Sequence, residues 1–219
     1  MDESVKKQVR ELLQKKDYGH LVDLCEIDTR CWKALRFCLY DIDETIRWSA
    51  IEAAAKLMKR WWQLNQHEKV RKFIRNLFWS MTDESGGIGW SSPQTIAETI
   101  VNIPEILDPY GSMMIAYSIE EPPLMKGGLW GIGRLGKMIA DALDFFQDKV
   151  PAVFQSADTE TLGLAAWAMG EVGFKPALPF LEKFLERKET VRIYVEGDFL
   201  EKPLGQWAEE AINKISRLI

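Results

Sequence analysis

The stretch that decides the fold is Thr161-Leu162-Gly163-Leu164-Ala165-Ala166-Trp167-Ala168-Met169-Gly170-Glu171-Val172. Small residues stand at its fifth and eighth positions, where they let a neighbouring helix approach closely, and an apolar residue stands at its twelfth. Three other segments align with it without gaps: Ile46 to Leu57, Leu124 to Leu135, and Leu204 to Ile215. Their fifth and eighth positions are Ala50 and Ala53, Gly128 and Gly131, and Ala208 and Ala211. The twelfth positions fall at 57, 135, 172 and 215, so successive gaps are 78, 37 and 43, the first being two periods of 39. An intermediate copy is expected from Ser92 to Ile103, where the pattern is degenerate. A period near 40 with two helices per unit is a solenoid signature.

The flanking sequence agrees. Helical spacing of apolar residues predicts helices over Asp2 to Lys16, Thr29 to Leu39, Thr45 to Leu64 and His67 to Met81. Nine prolines break the second half into shorter helices, with Pro93, Pro123 and Pro151 suited to first-turn positions. Thr190 to Val195 is β-branched and alternating, and Glu196-Gly197-Asp198 follows as a turn before Phe199-Leu200. This predicts a short hairpin on a helical body.

Thr161 to Arg187 resembles the HEAT-like repeat first described in phycobilin lyases, and Asp43-Glu44-Thr45-Ile46-Arg47 is similar to its acidic opening. The resemblance covers about two thirds of the chain and extends to an uncharacterised prokaryotic HEAT-like family. It implies an all-α α–α superhelix of HEAT/armadillo-like repeats, about five helical units in one domain over residues 1–219, with a small C-terminal β-hairpin. It implies no lyase activity, because many non-enzymatic proteins share the repeat.

Chemistry-bearing motifs are few. Gly131-Ile132-Gly133-Arg134-Leu135-Gly136 matches the G-x-G-x-x-G dinucleotide pattern, but no strand-like segment precedes it, and Gly131 and Gly133 fall on columns occupied by Ala or Gly in other copies. His20, Cys25, Cys31 and Cys38 lack the close pairs of a zinc site, so buried apolar thiols are expected. No P-loop, G-x-S-x-G or H-E-x-x-H is present. Neither a cofactor nor a metal is expected, and the carboxylates Asp83 and Glu84 stay open as catalytic groups.

Two constellations suit binding. The loop 83–93 places Asp83, Glu84, Gly86, Gly87 and Trp90 between two helices, with Ser91 and Gln94 spaced as a capping box or Ser92 as cap before Pro93. Its carboxylates favour a ligand bearing a cation or hydroxyls; the alternative is a packed loop anchored by Trp90. The seventh and eleventh repeat positions hold Glu52/Lys56, Trp130/Arg134, Trp167/Glu171 and Glu210/Lys214 on one helix face. In HEAT-like units that face lines the concave surface. Trp130 and Trp167 are then expected to meet in adjacent units, with Arg134 near Glu171, as a partner-binding surface; inter-repeat packing is the alternative.

Of 219 residues, 28 are Lys or Arg and 33 are Asp or Glu, a net charge of −5. Residues 56–80 run against this balance at +6, with Trp61 and Trp62 among the cations. Such interleaving can hold nucleic acid, although the acidic whole makes that less favoured. The N-terminus has no signal-like pattern and no apolar run reaches a bilayer-spanning length; with three cysteines unlikely to pair in full, a cytoplasmic protein is expected. The sequence thus predicts a non-catalytic binding or scaffold protein, its partner a protein or small ligand on the concave face. The alternatives are a DNA-repair glycosylase-like or a tetrapyrrole lyase-like enzyme on the same scaffold. Of the nine Trp, Trp32, Trp48, Trp79 and Trp207 carry no motif and default to packing.

Overall fold

A computed structural model describes residues 3–82 and 89–217. The chain clusters into two units, residues 1–104 and 105–219.

The first unit holds α1 (Glu3–Gln14), α2 (Tyr18–Ile27), α3 (Thr29–Cys38), α4 (Glu44–Gln63), α5 (His67–Met81) and α6 (Ser92–Asn102). Aspartates start three of these helices. Asp17 accepts from the His20 amide at 3.3 Å, Asp28 from Arg30 at 2.8 Å and Asp43 from Thr45 at 2.9 Å. Each satisfies a first-turn donor that has no intrahelical partner. The acidic opening of the repeat is therefore a helix cap. The long α4 is the central post, packed against every other helix of the unit. Its Ile46, Ala50, Ile51, Ala53, Leu57 and Met58 are fully buried.

The second unit holds α7 (Leu107–Ser118), α8 (Pro122–Leu135), α9 (Ala140–Phe145), α10 (Val150–Val153), α11 (Thr159–Val172), α12 (Leu178–Leu181), β1 (Thr190–Val195), β2 (Asp198–Pro203) and α13 (Leu204–Ser216). Asp158 caps α11 as Asp43 caps α4, accepting from the Thr161 amide at 3.0 Å. Helix α11 lies between α8 and α13, and all residues from Thr161 to Gly170 are buried. Small residues at the eighth and tenth repeat positions make this contact. A Cβ on Gly170 would stand 2.7 Å from the Cα of Ala211, and one on Gly133 would stand 2.5 Å from the Trp167 ring.

The strands pair antiparallel, with Val195 opposite Asp198 and Thr190 opposite Pro203. The two turn residues, Glu196 at φ 51° and Gly197 at φ 92°, both occupy the left-handed region, as a tight two-residue hairpin needs.

All five repeat copies lie on helices: α4, α6, α8, α11 and α13. The degenerate copy is α6. The expected helix over His67 to Met81 has the bounds of α5, and Pro93, Pro123 and Pro151 sit in first turns. No helix among the described residues is long and apolar enough to cross a membrane.

Candidate functional site

In the second unit, Trp130 and Trp167 meet across α8 and α11, with ring centroids 6.4 Å apart and planes tilted by 39°. Their expected accessibility is not observed: they are only 4 % and 6 % exposed. The hairpin is the physical reason. The Trp130 indole N–H donates to the Tyr194 carbonyl at 2.7 Å, and the Trp207 indole N–H donates to the Val191 carbonyl at 3.2 Å. Val191 also sits over Gly163, where an added Cβ would come within 2.4 Å of its Cγ1. Strand β1 thus seals this aromatic face, and its main-chain carbonyls satisfy the buried indole donors. Glu171 accepts from Lys214 at 2.5 Å, an ion pair between eleventh repeat positions of neighbouring helices. Both partners are substantially exposed, so it contributes little to stability.

Gly131 and Gly133 lie inside α8, and Gly136 is its C-cap at φ 54°. Helix, not strand, precedes these glycines, as the packing explanation requires. The three cysteines are buried and unpaired. Burial, with the nearby Cys31 and Asp28, pushes the Cys25 thiol up to about 12, and burial beside Asp41 pushes Cys38 up to about 11. Among the described residues, no group of three or more His, Cys, Asp or Glu could hold a metal.

The cations of residues 56–80 stand on the outer faces of α4 and α5, and Trp61 and Trp62 pack against cations or rings there. Trp61 is 2 % exposed with the Lys69 ammonium 3.6 Å above its ring. Trp62 stacks on His67 at 4.0 Å.

Two accessible tryptophans of the first unit stand near the facing ends of α5 and α6, apart from Phe37 on α3, which is also exposed. Asp83, Glu84, Gly86 and Gly87 lie outside the described residues. The loop's described end is tightly held. The Gly89 amide donates to the Ser80 carbonyl at 2.8 Å, and Ser92 Oγ bonds both Ser80 Oγ at 2.9 Å and the Tyr40 hydroxyl at 3.1 Å. A Cβ on Gly89 would stand 2.1 Å from Ser80 Oγ, so the approach requires glycine. Ser91 occupies the N-cap position, but its hydroxyl donates to the Leu39 carbonyl, not to its own helix. The expected capping box does not form: no helix amide bonds the Ser91 side chain, whose hydrogen bond is a tertiary one.

On this support stands Trp90, 37 % exposed. Tyr40 meets its ring edge-on at 6.2 Å, and the Arg47 guanidinium lies 4.7 Å above it. Arg47 is fixed by bonds to the Asp41 carbonyl at 2.9 Å and Glu44 at 3.2 Å. In the last turn of α5, Trp79 is 77 % exposed, although packing is its expected role. Its position contradicts that, since it lies off the buried stripe Val70, Phe73, Ile74, Leu77, Phe78 and Met81 of α5. That periodicity was the available signal.

No protein-family profile matches the chain. An uncharacterized protein of Archaeoglobus fulgidus is 27 % identical over 171 residues, covering 76 % of this chain and 87 % of that one. Among solved structures, a designed armadillo repeat protein superimposes with a TM-score of 0.56 at 14 % identity, covering 98 % of this chain and 94 % of that one. A second designed armadillo repeat protein, in complex with the peptide (KR)4, gives 0.55 at 15 % identity, covering 97 % and 92 %. At these identities the likeness concerns the fold alone: the chain has a HEAT/armadillo-like helical repeat fold with a two-stranded C-terminal sheet.

Proposed function

We propose that the chain is a non-catalytic binding or scaffold protein that engages a protein partner at the Trp79–Trp90 corner of its first unit. The observation that carries this reading is the exposure of two tryptophans on a rigid support, 77 % and 37 %. A rigid, partly exposed aromatic beside an immobilised arginine has the composition of an interface hot spot. Arg47 holds the Trp90 ring from one side, and a ring held in place beforehand loses less entropy on binding. Helical repeats present such side chains from a fixed scaffold, and one armadillo-like neighbour carries a bound peptide.

The test is cross-linking capture from a native extract. It compares wild type, Trp79→Ala/Trp90→Ala, and Phe145→Ala, which removes an 82 %-exposed aromatic of the second unit. The reading expects partners that survive Phe145→Ala and are lost in the double variant. Hot-spot truncations cost about 2 kcal/mol or more, a loss of about 30-fold. An identical partner set in all three proteins contradicts it.

A further inference from the structure

A groove of about 460 Å³ runs between α1 and α3 of the first unit. That volume lies in the range of small-molecule sites. Two side chains one turn apart face it from each helix: Lys6 and Arg10 from α1, and Lys33 and Phe37 from α3. Its floor is apolar, formed by Ala34 at 2 % and Cys38 at 7 % exposure. Cys38 stays a neutral thiol because burial raises its pKa to about 11. Phe37 is 61 % exposed, an aromatic wall with solvent on its free side.

The charges are unevenly matched. Asp41, which closes one end, is engaged by Arg10 and accepts from the Asp43 amide at 3.0 Å. Lys6 meets Glu3 at 2.5 Å at the exposed rim. For Lys33, no hydrogen bond or ion pair occurs among the described residues. The groove therefore combines an apolar floor, one open aromatic face and a cation left over.

We propose that this groove binds a small organic anion with a planar apolar body, the body against Phe37 and Cys38 and the anionic group on Lys33 with Lys6. A carboxylate and a phosphate share this chemistry, and a lysine ammonium accepts either as a point charge. The site is independent of the Trp79–Trp90 corner, whose aromatics it does not use.

Titration calorimetry of the full chain with 1-naphthoate, AMP and inorganic phosphate tests it. At least one of the two aromatic anions binds with a Kd below about 1 mM, the weak end of the affinity scale. Naphthoate alone identifies a carboxylate ligand and AMP alone a phosphate ligand. Lys33→Glu and Phe37→Ala, both exposed positions that leave the core intact, each weaken binding by about 10-fold or more, whereas Lys72→Glu on α5 does not. Added salt weakens it further, as for any exposed ion pair. The proposal is overturned if neither aromatic anion binds, if inorganic phosphate binds as tightly as AMP, or if the groove variants bind like Lys72→Glu.

Discussion

The seventh repeat position carries Glu52 and Glu98 in the first unit, while in the second the pair Trp130 and Trp167 precedes Glu210. The first pair borders a polar network. Glu98 is 7 % exposed and accepts from the Asn102 amide at 3.2 Å. Burial, with Glu52 and Glu98 nearby, drives the Tyr18 phenol well above its ordinary range, the Ser49 hydrogen bond opposing this. The second pair is apolar and sealed beneath β1. Helical spacing sets which way a position faces, and the segment that follows in the chain decides what the face meets. In the second unit that segment is the hairpin between α12 and α13.

Four substitutions test how far the two units differ, each read by denaturant unfolding of the full chain. Trp130→Ala is expected to cost about 3–5 kcal/mol, the range for truncating a buried aromatic, and it also leaves the Tyr194 carbonyl without its indole donor. Gly133→Ala is expected to cost about 1–3 kcal/mol through overpacking, because the Trp167 ring lies 2.5 Å from the new Cβ. This exceeds the helix-propensity gain of about 1 kcal/mol. Gly19→Ala in α2 has the opposite sign. No atom lies within 4 Å of its Cβ position, so the propensity gain stands alone at about 0.5–1 kcal/mol of added stability. Trp79→Ala is expected to stay within about 0.5 kcal/mol of wild type, since its indole is mostly in solvent. A large loss there would place Trp79 in the core and remove the proposed docking corner.

The fold was legible because the repeat is written in small residues. Gly170 and Ala211, small residues of two successive copies, touch where α11 meets α13, and the alternation of Thr190 to Val195 marks β1. The aspartates at 43 and 158 announce the helices they cap. The site was less legible. Spacing places Trp130 and Trp167 on one face, yet only the fold shows β1 crossing it. Ser91 and Gln94 have the spacing of a capping box, but the Leu39 carbonyl, distant in sequence, takes the serine hydroxyl. Trp79 and Phe37 were readable as exposed, because each lies off the apolar stripe of its helix. The Lys6–Lys33 groove was not, because its walls come from helices whose pairing no local pattern encodes.

The central claim is that the aromatic face of the second unit is closed by its own hairpin while the first unit keeps an open aromatic corner. Hydrogen exchange of the assigned indole N–H groups, followed by nitrogen-15 correlation spectra in deuterated buffer, tests it most directly. The Trp130 and Trp207 indole protons, bonded to β1 carbonyls, are predicted to be protected and to exchange only through opening of the hairpin. The Trp79 proton is predicted to be gone in the first spectrum. Exchange of Trp130 and Trp207 as fast as that of Trp79 would contradict the account.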